Sequence, residues 1–209
     1  MSSQEQAHGT LYIISAPSGA GKTSLIKALL EATDGIVVSI SHTTRTKRPG
    51  EEDGMDYHYV DVPTFTNMVS QGAFLEHAQV FDHHYGTSET AVLDQLASGQ
   101  DVILEIDWQG AEQVRIRISG TVSIFILPPS RAALRERLTE RGQDDDTIIN
   151  RRMYDAVTEM SHYHEFDYVV VNDDFETALK DLETIITSQR LHIHSQKQNL
   201  HPLIKELLA

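Results

Sequence analysis

Ala16-Pro17-Ser18-Gly19-Ala20-Gly21-Lys22-Thr23 follows an apolar run, Leu11–Ser15, and opens a stretch with Leu25, Ile26, Leu29 and Leu30 spaced for one helix face. A strand, a glycine-rich turn and a helix form the context of a phosphate-binding P-loop. The octet matches that pattern except that Ala16 stands at its first glycine. Gly19 and Gly21 let successive backbone N–H groups turn inward around phosphate oxygens. The helix N-terminus adds partial positive charge. Lys22 stands where a lysine bridges the β- and γ-phosphates, and Thr23 where a hydroxyl ligates Mg2+. These eight residues and Ser24 form the expected ATP-binding segment. The alternative, a chance glycine-rich turn, does not account for the strand before and the amphipathic helix after.

A second motif supports the first. Val102-Ile103-Leu104-Glu105-Ile106-Asp107 is a buried-strand run that ends in a carboxylate, the Walker B form, whose Asp belongs to the Mg2+ shell. Nearly unbroken apolar runs recur at 36–40, 122–127 and 168–171, as expected for strands buried on both faces. Helical patterns follow at 23–32, 130–140, 147–164 and 175–194. Strands alternating with helices predict an α/β fold, a central parallel sheet flanked by helices. Ligands in such sheets bind at the C-terminal ends of the strands. Residues 41–99 break the rhythm with a basic loop, short alternating segments at 57–60 and 74–81, and small helices near 63–72 and 88–98. This predicts an insertion with its own small sheet.

The chain has 209 residues, enough for one α/β domain. It has no cysteine, which excludes disulfides, thiolate metal sites and cysteine nucleophiles. No signal-peptide pattern and no run long enough for a membrane span appears, so the expectation is a cytoplasmic protein with no membrane partner. The net charge of −14 argues against general nucleic-acid binding. The cations cluster, however, around Arg45–Arg48 and between Arg131 and Arg152, a pattern suited to small phosphate ligands. The histidine pairs His162/His164 and His192/His194 have i, i+2 spacing, poor for chelation on a helix, and read as surface residues. His83-His84 reads as a solvated turn.

The insertion identifies the second substrate. Ser41-His-Thr-Thr-Arg45, Arg48-Pro-Gly50, Gly54 through Tyr57, Phe74-Leu-Glu76, Tyr85-Gly-Thr87, Glu105-Ile-Asp-Trp-Gln-Gly110 and Asn150-Arg-Arg152 resemble the guanylate kinase family in kind, order and spacing. The bacterial branch, which shares Ala16, is the nearest resemblance. The resemblance implies a P-loop nucleoside monophosphate kinase fold spanning 9–188, with a GMP-binding insertion at about 41–99 and a lid at about 132–162. A C-terminal helical tail at 189–209 follows.

The resemblance also implies roles. Arg45, Arg48, Tyr57 and Tyr85 form the cradle for the GMP phosphate. Guanidinium forks bind phosphate bidentately, although on residue type alone the two arginines also suit a solvated basic loop. Ser41, Glu76, Thr87 and Glu105 read guanine, and Asp107 lies beside them. A carboxylate accepts from guanine N1–H and N2–H2 together, whereas adenine offers a bare acceptor there. A lone glutamate such as Glu76 is otherwise most often an exposed strand residue. Arg137, Arg141 and Arg152 match the lid's catalytic arginines, while Arg131 and Arg135 suit exposed i,i+4 pairs. Gly142 and the acidic run 144–146 would form a mobile tip. Asn172 stands where the family contacts adenine. ATP, GMP and Mg2+, held by Thr23 and by Asp107 through water, are the implied ligands, and homo-oligomerisation is left open. Two other readings compete. One is a non-catalytic guanylate-kinase-like interaction module, against which Lys22, Thr23 and Asp107 argue. The other is a related P-loop kinase for another phosphorylated acceptor, against which Glu76 and Thr87 argue.

Overall fold

In the computed structural model, which describes residues 9–80, 82–140 and 146–209, the strand before the glycine-rich turn lies at the centre of a sheet. Five strands build that sheet: β1 (Leu11–Ser15), β2 (Ile36–Val38), β7 (Asp101–Glu105), β8 (Val122–Leu127) and β9 (Tyr168–Val171). Their order is β2-β7-β1-β8-β9, and every pairing is parallel. Both faces are covered, which is why the strands read as continuous apolar runs. Tyr12 and Ile14 face α1 (Lys22–Ala32) and α7 (Phe175–Arg190), packing with Leu25, Leu29, Leu182 and Ile186. Leu11 and Ile13 face the opposite layer, with Val92 and Leu96 of α3 (Glu89–Ala97) and Ala111 and Val114 of α4 (Trp108–Arg117). Leu25 and Leu29 are fully buried, so truncating either to alanine should cost about 2–5 kcal/mol.

Helix α4 has no counterpart in the sequence-based expectation. Its buried residues are only Gly110, Ala111 and Val114, so no broad apolar stripe announces it. The other expected elements shift at their ends. Strand β2 stops at Val38. The helix expected over 175–194 ends at Arg190, and two short helices follow, α8 (Ile193–Asn199) and α9 (His201–Leu207).

Within 41–99 lies a second, four-stranded sheet of order β4-β3-β6-β5, from β3 (His42–Thr43), β4 (His58–Tyr59), β5 (Phe74–Val80) and β6 (His83–Ser88). Helix α2 (Val62–Ser70) precedes β5, with Asp61 capping its start. Val80 pairs with His83, so His83 and His84 are strand residues rather than a solvated turn, and His84 stacks on Phe65 at 5.4 Å. Helices α5 (Arg131–Glu140) and α6 (Asp146–Ser161) share a separate small core of Leu134, Leu138, Ile149, Met153 and Ala156. Ser130 caps α5 by accepting from the Ala133 N–H at 3.1 Å. Among the described residues no helix is long and apolar enough to cross a membrane.

Candidate functional site

The turn between β1 and α1 has the backbone its glycines foretell. Gly19 and Gly21 adopt φ of 92° and 91°, the left-handed region that favours glycine. Space requires glycine as well. A Cβ on Gly19 would lie 2.9 Å from Leu138, and one on Gly21 would collide with the Asn172 amide. Asn172 is buried, and its Nδ2 donates to the Ala20 carbonyl at 2.7 Å. It therefore braces the turn from behind, where the sequence suggested an adenine contact. Its own carbonyl accepts from Arg137 Nη2 at 2.9 Å, while Arg137 Nη1 is buried with no hydrogen-bond partner.

One cavity of about 270 Å3 opens over this turn. Its wall runs from Gly19, Lys22 and Thr23 on one side to Ser41, Tyr57 and Glu76 on the other. Residues that the sequence separated into a phosphate loop and an insertion thus line a single space.

On the loop side, the Thr23 hydroxyl donates to Glu105 Oε1 at 2.6 Å, and Lys22 Nζ lies 4.0 Å from the same oxygen. Glu105, expected among the guanine readers, lines the same cavity as Ser41 and Glu76 and bonds to Thr23. Asp107 lines the cavity, but its carboxylate is engaged as the N-cap of α4. Oδ1 accepts from the Gly110 N–H at 2.9 Å and Oδ2 from Gln109 Nε2 at 3.1 Å. The carboxylate that reaches the threonine is therefore Glu105. A hydroxyl and a carboxylate oxygen converging beside the glycine-rich turn form a hard-oxygen donor set suited to Mg2+.

On the insertion side, Glu76 is 3% exposed. Its Oε1 accepts from the Thr87 hydroxyl at 2.5 Å, and Thr87 in turn lies 3.3 Å from the Ser41 hydroxyl. Burial pushes the Glu76 carboxyl up to about 7; the Thr87 hydrogen bond opposes that rise and the nearby Asp107 charge adds to it. A bulge between Phe74 and Glu76 breaks the strand alternation, so that Phe74, Leu75 and Glu76 are all buried.

Arg45 lies over the Tyr57 ring at 5.3 Å, and Tyr57 packs edge-on to Tyr85 at 5.9 Å. The Arg45 fork is already held by Glu51, at 2.7 and 3.0 Å, and Glu51 also accepts from the Arg48 N–H and the Tyr59 hydroxyl. The Arg45 bond drives the Glu51 carboxyl down to about 2. Arg48 contributes only its backbone here, and its side chain is exposed. Arg152 is half-buried on α6 and does not line the cavity. Arg141, Gly142 and most of the acidic run lie outside the described residues.

The sequence reading missed several residues. Glu51 holds Arg45. Glu159 of α6 lines the cavity and accepts from the Ser18 N–H at 3.2 Å; burial raises its carboxyl above the ordinary range. His162, expected at the surface, stacks on Trp108 at 3.6 Å and bonds to Glu165 at 2.5 Å, tying α6 to the start of α4. The i,i+3 spacing of His162 and Glu165 could have signalled that pair, but no spacing rule signals Glu51 with Arg45, Glu159 with Ser18 or His162 with Trp108.

Comparison with known proteins places the chain in a family. The family model described as guanylate kinase matches residues 8–189. A guanylate kinase of Alkalilimnicola ehrlichii is 58% identical over 201 residues, covering 96% of this chain and 99% of that one. One from Saccharophagus degradans is 57% identical, covering 96% and 98%. The crystal structure of guanylate kinase from Anaplasma phagocytophilum superposes with a TM-score of 0.75 at 34% identity, covering 90% of this chain and 89% of that one.

Proposed function

The chain belongs to the guanylate kinase family, and from that membership we propose how its cavity performs the family's reaction. The enzyme is an ATP:GMP phosphotransferase: it moves the γ-phosphoryl group of ATP to GMP, giving ADP and GDP. The observation that carries the site assignment is the single cavity lined by both the phosphate loop and Glu76.

ATP lays its phosphates on the backbone N–H groups of Gly19 to Thr23, with Lys22 bridging the β- and γ-phosphates. GMP enters from the insertion. Glu76 accepts from guanine N1–H and N2–H2, while Thr87 and Ser41 complete a polar row beside it. Arg45, Tyr57 and Tyr85 take the GMP phosphate. Glu51 fixes the plane of the Arg45 guanidinium and leaves its remaining N–H groups to donate. Thr23 and Glu105 would hold Mg2+, and Asp107, held as the α4 cap, would add its negative charge nearby. When bound, the ion supplies charge neutralisation at the phosphate oxygens.

The attacking atom is a GMP phosphate oxygen, already ionised at neutral pH, so no general base is needed. The protein's work is alignment and charge neutralisation by Lys22 and the lid arginines Arg137, Arg141 and Arg152. Arg137 does not line the cavity here and is held on the Asn172 carbonyl, so lid closure would have to bring its unpartnered Nη1 to an oxygen of the transferring group. Closure of insertion and lid would exclude water and suppress ATP hydrolysis. We place the reaction in the cytoplasm, where free ATP and GMP are drawn. The test is ADP formation from ATP and Mg2+ with GMP, AMP, CMP or UMP in turn. GMP should support turnover well above the others. Equal rates with all acceptors, or none with GMP, would overturn the assignment.

A further inference from the structure

Helix α4 meets the edge strand β5 along one face, at positions i, i+3 and i+7. Gly110 lies against Glu76. Gln113 pairs with the His77 backbone, donating to its carbonyl at 2.9 Å and accepting from its N–H at 3.2 Å. Arg117 Nη1 donates to the Phe74 and Leu75 carbonyls, each at 2.7 Å. The last two contacts fix the spacing between helix and strand. At the first, there is no spare room: a Cβ on Gly110 would stand 2.5 Å from Glu76 Oε2 and 3.1 Å from its Cδ.

Glycine is a poor choice inside a helix, so its presence there points to a local need. Gly110 has no left-handed φ to explain it. It is buried, and what it faces is the base-reading carboxylate.

We propose that Gly110 is a positioning residue for guanine selectivity: the missing Cβ lets the Glu76 carboxylate sit back against α4, at the depth that leaves room for the base. The inference rests on Glu76 reading guanine. With a methyl group at position 110, the carboxylate must move. Gln113 and Arg117 hold α4 in place, and Thr87 holds Oε1, so the way left is forward into the cavity. There it occupies space that guanine needs. The Asp107 cap uses only the Gly110 backbone N–H, so the helix start is untouched by the substitution.

The experiment is Gly110→Ala, with kcat and KM measured for GMP and ATP, the GMP/AMP ratio of kcat/KM, and Tm. The expected result is a rise of about tenfold or more in KM for GMP, a smaller GMP/AMP ratio, an unchanged KM for ATP, and a Tm no lower than wild type, since alanine is the better helix former. Glu76→Asp in the same background retracts the carboxylate by one methylene. The double variant should bind GMP better than the two single effects combined would allow. Should Gly110→Ala alone fail to fold, the double variant still decides, because relief of the contact must restore folding and bring GMP binding to that of Glu76→Asp alone. Unchanged GMP parameters in Gly110→Ala, a parallel loss of ATP and GMP binding with a lowered Tm, or a double variant no better than additive would each overturn the proposal. Glu76→Gln separates the two layers. If it leaves the GMP/AMP ratio unchanged, the guanine-site reading itself fails; if it shifts the ratio while Gly110→Ala does not, only the role of Gly110 fails.

Discussion

Lowering the pH from 8 to 6 should weaken GMP binding about tenfold, through protonation of Glu76. Burial raises this carboxyl from 4.5 to about 7, with the Asp107 charge adding to the rise and the Thr87 hydroxyl opposing it. Guanine presents two donors, and the ionised form receives both with its charge, whereas the protonated form turns an O–H toward them and keeps only a neutral acceptor. The ionised form is about nine-tenths of the free enzyme at pH 8 and about one-tenth at pH 6, and the apparent dissociation constant scales with its inverse. GMP's own phosphate, with a second pKa near 6, loses charge over the same window. Glu76→Gln keeps that effect and removes the carboxylate, so the difference between the two pH slopes isolates Glu76. Calorimetric titration of GMP into ATP-free enzyme measures both slopes. The same rise has a stability consequence of opposite appearance. Its contribution is fully present below pH 4.5 and is lost as pH rises through about 7, a change of about 3 kcal/mol at most. Wild type should therefore lose more Tm than Glu76→Gln between pH 5 and 8. Parallel GMP affinities in the two proteins from pH 8 to 6 would refute the reasoning.

Three further outcomes follow from the cavity. Lys22→Ala should cut kcat at least about a hundredfold in a protein of normal Tm, by loss of a preorganised cation at the transferring group; steady-state assay with saturating GMP checks it. Glu105→Gln should raise the Mg2+ concentration needed for half-maximal rate and leave Tm unchanged, whereas Asp107→Ala should lower stability by about 1 kcal/mol through loss of the α4 cap; a Mg2+ titration beside a melting curve distinguishes them. Glu159→Gln should lower KM for ATP a few-fold, since it removes a like charge next to the incoming triphosphate and weakens the acceptor on Ser18 N–H; a rise in KM would show instead that Glu159 braces the loop in the bound state.

What the sequence disclosed and what it hid divide along a physical line. The phosphate loop was readable because its function lies in the backbone: Gly19 and Gly21 are required by φ, and the flanking strand and helix are specified by local apolar patterns. The sheet was readable because strands covered on both faces must be apolar throughout. Partnerships between distant side chains have no such local signature. Glu105 and Asp107 are two residues apart at the end of one strand, and only the start of α4 decides between them. The helix takes Asp107 as its cap, which leaves Glu105 to turn toward Thr23. The same helix escaped detection because its contact with β5 is made by a missing side chain, an amide and a guanidinium at Gly110, Gln113 and Arg117, none of which a hydrophobic period registers. That contact carries the insertion's edge strand against the core, and at the start of the helix it brings the Glu76 carboxylate and the Asp107 cap together, Gly110 facing the one and donating its N–H to the other. A displacement of α4 would therefore disturb acceptor recognition and phosphate alignment together. Ala111 and Val114 pack α4 on the main sheet, while Gln113 and Arg117 add polar bonds that fix its spacing from β5.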